Sequence, residues 1–155
     1  MENEALVKEV LVKITRLCSR SEQCSNEIRK KIINAGVEED LADEMVQSLI
    51  EENYLNDELY VKAYVADKFK FNKWGKIKMR HYLRLKGLPD EVIAIGLDEI
   101  DKEKYKAVLI KTMKDKAKTI KKKNKFEKMG QIIRFTQNRG FEPELIHRYM
   151  NLVLE

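Results

Sequence analysis

The stretch Trp74-Gly-Lys-Ile-Lys-Met-Arg-His-Tyr-Leu-Arg-Leu-Lys-Gly87 is a basic segment opened by a tryptophan–glycine pair and closed by a glycine. Met79, Tyr82 and Leu83 recur at helical spacing among apolar positions that also include Ile77 and Leu85. Lys73, Lys76, Arg80 and Arg84 step by three and four residues along another side. One side can pack while the other stays charged. Beyond Gly87, Leu88-Pro89-Asp90-Glu91-Val92 reads as a left-handed cap at glycine, then a proline in the first turn of a new helix whose positive end carries acidic residues. A helix, a tight turn and the start of a second helix are therefore expected here.

The same punctuation occurs three times. Gly36 precedes Val37 and then Asp40-Leu41, Gly87 precedes Leu88 and then Glu91-Val92, and Gly140 precedes Phe141 and then Glu144-Leu145. These glycines lie about fifty residues apart, within the range of repeated supersecondary units. Aligning on them superposes Ile28, Met79 and Ile132 upstream. Downstream it superposes Val46, Leu97 and Met150, then Leu49, Ile100 and Val153. The pattern predicts an all-α chain of three tandem three-helix repeats, residues 1–56, 57–101 and 102–155, with about nine helices. Each unit is too small to bury its apolar side well alone, so an elongated or curved stack is expected.

Composition agrees with this reading. The chain has 155 residues, enough for a core, and six glycines and two prolines with 37% charged side chains favour helices over sheet. No apolar run spans a membrane and no secretory leader is visible, so the expected location is the cytoplasm. Cys18 and Cys24 read as packing thiols in a reducing compartment, and with only His81 and His147 beside them no paired metal-ligand spacing exists. His147 is expected near a packing face. No phosphate loop, nucleophile elbow or zinc-protease pair occurs, which argues against an enzyme.

The net charge of +5 conceals a gradient: residues 1–56 carry seven basic and twelve acidic side chains, residues 57–101 nine and eight, and residues 102–155 fifteen and six. Such asymmetry implies a polyanionic partner, or one with an acidic surface, contacted mainly by the later parts of the molecule. Lys102 to Lys128 holds twelve lysines against Glu103, Asp115 and Glu127. Tyr105, Val108, Leu109, Met113, Ala117 and Ile120 keep a helical stripe within that run, so it is a helix with a packed side and its local charge excess reads as a binding surface. Lys121 to Lys125 reads as a loop.

Elsewhere, Leu6, Val7, Val10, Leu11, Ile14 and Leu17 mark a first amphipathic helix, and Ser19 to Ser25 offers caps at Ser21 or at Cys24–Ser25. Tyr54 and Leu55 are expected to fold onto the core, with Asn56 or Asp57 capping a helix that carries Leu59, Tyr60, Ala63, Tyr64 and Ala66. Phe71 and Trp74 flank a basic bend. Stacking on bases is one reading of them, and a corner between helices is the favoured one.

The segments Arg20-Ser21-Glu22, Glu27-Ile-Arg-Lys-Lys-Ile32 with Gly36, Tyr54-Leu-Asn-Asp57 with Tyr60 and Ala63, Gly75-Lys-Ile77 and Leu83-Arg-Leu-Lys-Gly-Leu88 resemble the RecX regulatory proteins. The resemblance covers roughly residues 15–100, and the last third by repeat pattern only. Cys24 stands where that family often has a capping residue, Tyr60 where it usually has phenylalanine, and the link to the third unit is unusually rich in lysine. The resemblance implies a non-enzymatic modulator of the RecA recombinase that lies in the groove of the RecA–DNA filament. It would restrain filament growth, strand exchange, ATP hydrolysis and repressor co-cleavage. A monomer without cofactors is expected, with weak, unselective binding to single- or double-stranded DNA. Its candidate contacts are one stripe of Lys73, Lys76, Arg80 and Arg84 and another of Lys121, Lys122, Lys123, Lys125, Arg134 and Arg139. The alternative is a helix-turn-helix module that binds DNA directly without RecA.

Overall fold

Three glycines shape the molecule. Gly36, Gly87 and Gly140 adopt φ values of 107°, 84° and 95°, the left-handed conformation that ends a helix without a side-chain clash. In each case the residue after the glycine donates back to the helix it leaves: Val37 to Ile32, Leu88 to Leu83 and Phe141 to Thr136. Val37, Leu88 and Phe141 are themselves buried, so each turn is fastened by hydrogen bond and apolar contact together.

The computed structural model describes residues 2–121 and 124–154. Among these residues the helices are α1 (Glu2–Arg20), α2 (Ser25–Asn34), α3 (Glu39–Glu51), α4 (Asp57–Asp67), α5 (Lys76–Leu85), α6 (Asp90–Asp98), α7 (Lys102–Thr119), α8 (Lys125–Asn138) and α9 (Pro143–Val153). A single π-helical turn, Lys68–Asn72, follows α4 directly. Among the described residues there is no strand. Helices α1–α3, α4–α6 and α7–α9 make three successive units, each with its own apolar cluster.

The glycine register recurs inside those clusters. Ile28, Met79 and Ile132 are fully buried at one level, and Ala42, Ile93 and Ile146 are buried at another. Thr136 occupies the place held by Ile32 and Leu83, and its hydroxyl is satisfied by donating to the Ile132 carbonyl at 2.7 Å.

Four local expectations differ from the structure. In α4 the buried residues are Val61 and Val65, whereas Leu59 is 47% exposed. Apolar residues surround this helix, so spacing alone does not choose a face. Gly96 does: a Cβ there would meet Val61 Cγ1 at 2.3 Å, so its absence lets α6 approach α4 at that point. Of the pair Tyr54 and Leu55, only Leu55 is buried. Phe71 is 71% exposed, while Trp74 is half-buried and stacks on Tyr82 at 5.2 Å. His147 is exposed on α9.

The two joints between units differ in kind. At the first, Asp57 Oδ1 accepts from the Ser25 N–H at 2.9 Å and so caps α2, whose own N-cap residue, Cys24, makes no side-chain capping bond. Asn56 caps α4, so the adjacent aspartate is free to serve the neighbouring unit. Lys86 Nζ reaches Glu27 Oε1 at 2.5 Å, Asn26 donates to the Lys86 carbonyl, and Cys24 is buried in the second unit's cluster. Burial pushes the thiols of Cys18 and Cys24 above their ordinary pKa, as suits packing roles.

The second joint is made from backbone. Gly75 N–H donates to the Arg139 carbonyl at 2.7 Å, Ile77 N–H to the Gly140 carbonyl at 3.0 Å, and Lys76 N–H to the Tyr105 hydroxyl at 2.9 Å. Among the described residues no hydrogen bond or ion pair joins the first unit to the third. The first and third units are each bonded to the second.

Candidate functional site

The second joint brings together charged residues distant in sequence. After the π-helical turn, Lys73 takes a left-handed conformation (φ 57°), and its ammonium donates to the Lys70 carbonyl at 2.6 Å. Arg139 leaves the end of α8 and donates to the Asn72 carbonyl at 2.9 Å across the joint. Lys73 and Arg139 therefore share a groove of about 330 Å³, whose wall also includes Lys116, Phe135 and the single carboxylate of Asp115. The Lys116 ammonium and the Arg139 guanidinium lie 5.0 and 5.2 Å from the Phe135 ring. This holds two cations at the rim of an apolar floor, an arrangement suited to a phosphate or carboxylate approaching from solvent.

The remaining residues of the first stripe lie apart from Lys73. Lys76 and Arg80 are half-buried on α5, with the Lys76 ammonium 5.0 Å from the Tyr105 ring. Arg80 acts electrostatically on the same tyrosine. Arg84 Nε is held by Asp90 Oδ1 at 2.7 Å, so its charge is largely answered inside the unit. Lys78, absent from the expected set, donates to the Asn138 carbonyl and sits 4.7 Å from the Trp74 ring, with Lys68 at 4.9 Å from that ring.

The second stripe is also divided. Lys121 and Arg134 are exposed, and Lys122 and Lys123 lie outside the described residues. Lys125 joins Lys128, Asn151 and Leu154 in a separate cleft near the end of α9, with Lys114 and Lys118 nearby around Leu152 and Val153. Of the expected contacts among the described residues, only Lys73 and Arg139 meet in one groove. Lys116 was hidden in a lysine run, although its place beside the buried Met113 and Ala117 put it at the edge of the packed stripe. Between described residues of the third unit the one ion pair is Lys111 with Asp115.

The joint's interior combines an aromatic stack with a buried polar contact. Tyr105 is buried, its hydroxyl donates to Glu142 Oε1 and accepts from the Lys76 N–H, and its ring stacks on Phe69 and tilts against Phe141. Burial, with Glu142 alongside, pushes its hydroxyl above the ordinary 10.0. At the first joint the hydrogen bond to Glu27 raises the Lys86 ammonium above its ordinary 10.5. Among the described residues no group of His, Cys, Asp and Glu could hold a metal ion, and no helix is long and apolar enough to cross a membrane.

Residues 56–97, which run from the cap of α4 to the penultimate residue of α6, match the family model for the second three-helix domain of RecX. A curated relative, the regulatory protein RecX of Clostridium perfringens strain 13, is 28% identical over 129 residues, covering 82% of this chain and 60% of its own length. The regulatory protein RecX of Clostridium beijerinckii is 26% identical over 141 residues, covering 90% of this chain and 65% of its own. The chain thus spans 60–65% of the length of these relatives. In fold, the crystal structure of RecX from Lactobacillus salivarius superposes with a TM-score of 0.88 over 97% of both chains at 17% identity. Another crystal structure of a regulatory protein RecX gives 0.86 over 97% of this chain and 74% of that one, at 15% identity. The middle unit is thus similar to the second three-helix domain of RecX, most of the chain aligns with regulatory proteins RecX, and its fold is the one seen in RecX crystal structures.

Proposed function

We propose that this chain binds the filament that RecA forms on DNA and mainly inhibits it, restraining filament growth, ATP hydrolysis, strand exchange and co-protease activity. The observation that carries this reading is the polarity of the molecule. Its first unit is acidic, and its third holds fifteen basic side chains against six acidic ones. Within that unit, ion pairing between described residues engages only Lys111. A body of this form suits a polymer that offers phosphates and acidic side chains together. The relatives' name, regulatory protein RecX, supports the same partner. The groove of Lys73, Lys116 and Arg139 is the proposed contact, and Lys121, Lys122, Lys123 and Lys125 are proposed as further contacts.

Direct DNA reading by a helix-turn-helix is the weaker account. A recognition helix presents its amino-terminal residues to the groove. In α5 that end faces the third unit, because the Lys76 and Ile77 N–H groups are taken by Tyr105 and Gly140. Contact with DNA is then through phosphate, weak and unselective. The test is to add micromolar protein to RecA, single-stranded DNA and ATP. Slower ATP hydrolysis and shorter filaments are expected, and unchanged values of both would overturn the proposal.

A further inference from the structure

A second cleft, distinct from the Lys73 groove, opens where the start of α7 meets α5 and α9. It encloses about 230 Å³, and Lys76, Lys102, Lys106 and Arg148 converge on it. Its carboxylate, Glu142, already accepts the Tyr105 hydroxyl, and Tyr149 forms one wall. None of the four cations makes an ion pair with a described carboxylate. The Lys76 and Lys106 ammonium groups rest instead over the rings of Tyr105 and Tyr149, at 5.0 and 5.1 Å.

Four cations against one carboxylate leave an excess of three positive charges around this space. Like charges gathered in one partly enclosed cleft repel, and an anion with several adjacent negative charges would relieve all of them together. A single carboxylate would leave most of the excess unanswered. Arg148 offers a planar fork and the lysines offer mobile point charges, the usual division of labour around phosphate. We infer that this cleft binds a short run of adjacent phosphates, either the chain of a free nucleoside triphosphate or consecutive phosphates of a nucleic-acid backbone. The inference goes beyond the RecA reading and needs no RecA for its test.

Titration calorimetry of the full chain with sodium tripolyphosphate at low salt is the direct measurement. Lys102 and Arg148 are exposed, so Lys102→Glu with Arg148→Glu should leave the fold intact while weakening binding by about tenfold or more. Lys102→Gln with Arg148→Gln makes the same comparison without added negative charge and should weaken binding in the same direction. Lys73→Glu with Lys116→Glu, in the other groove, should change it by about twofold or less. Absence of binding to the unaltered chain, or equal loss in the two charge-reversed pairs, would overturn the inference. Displacement of tripolyphosphate by ATP alone identifies a free nucleotide, and displacement by oligo-dT that depends on Lys102 and Arg148 identifies a backbone. Displacement by neither would also overturn it.

Discussion

Gly75 donates its backbone N–H to the carbonyl of Arg139 at 2.7 Å, so the start of α5 and the turn after α8 meet main chain to main chain. A Cβ at Gly75 would fall 2.3 Å from the Gly140 carbonyl, and one at Gly140 would fall 2.2 Å from Lys78 Cβ. The joint therefore depends on two missing side chains. Its closeness sets Arg139 against Asn72 and beside Lys73, and through that contact the packing of the fold becomes the shape of a charged groove.

Alanine at these glycines should be costly. Gly75→Ala forces backbone apart, and Gly140→Ala adds a strained φ of 95°. Each should lose about 2–4 kcal/mol in denaturant unfolding. Gly130 in α8 is the internal control. The nearest atom to a Cβ there is a terminal nitrogen of Arg134 at 3.4 Å, so Gly130→Ala should leave stability equal or raise it by up to ~1 kcal/mol. Equal losses at all three positions would refute the close joint.

The first joint should behave as a coupled polar contact. Lys86→Met and Glu27→Gln, singly and together, should give a coupling of about 0.5–1.5 kcal/mol, moderated because both side chains are partly exposed. Asp57→Ala removes a cap from α2 at a distance of one unit and should cost ~1 kcal/mol. Additive effects for Lys86 and Glu27 would show that the pair holds nothing.

Stability should fall at alkaline pH. Tyr105, through burial, and Lys86, through Glu27, both hold their protons more tightly folded than unfolded. Their contributions are complete below the unfolded values of 10.0 and 10.5 and are lost as pH rises above them, since the unfolded chain releases its protons first. Tyr105→Phe should cost about 1–3 kcal/mol at pH 8, because the Lys76 N–H and Glu142 lose a partner. It should also flatten the decline between pH 9 and 11. Parallel declines in variant and parent would contradict the assignment to Tyr105.

Much of this architecture is legible in the chain. Gly36, Gly87 and Gly140 announce the turns because only glycine takes those φ values without strain, and the apolar register that follows from them lies in the core except at Val46 and Ile100, which are partly buried. Legibility fails where periodicity carries no contrast, as in α4, whose inner face is chosen by Gly96 opposite Val61. It fails again at the joints. The bond from Ser25 to Asp57 spans 32 residues and that from Arg139 to Asn72 spans 67, and no local spacing encodes either. For the same reason the two basic stripes read along the sequence are not the groups the fold assembles. Lys76, Arg80 and Lys73 are near neighbours in sequence, yet only Lys73 faces Arg139.

The groove should bind DNA through charge alone. Affinity of the isolated chain for duplex DNA should fall by about 0.9 log units per log unit of salt for each phosphate contacted. Lys73→Glu with Lys116→Glu should lower that slope and weaken all sequences alike, as read by fluorescence anisotropy. A strong sequence preference that survives in this variant would favour base readout instead.

The most direct test places Lys116→Glu with Arg139→Glu beside the unaltered chain in a RecA ATPase assay on single-stranded DNA, with filament lengths measured in parallel. The unaltered chain at micromolar concentration should slow hydrolysis and shorten filaments, and the variant, shown by circular dichroism to keep its helices, should lose most of both effects. Full inhibition by the folded variant would remove the groove from the mechanism, and no inhibition by the unaltered chain would remove the mechanism itself.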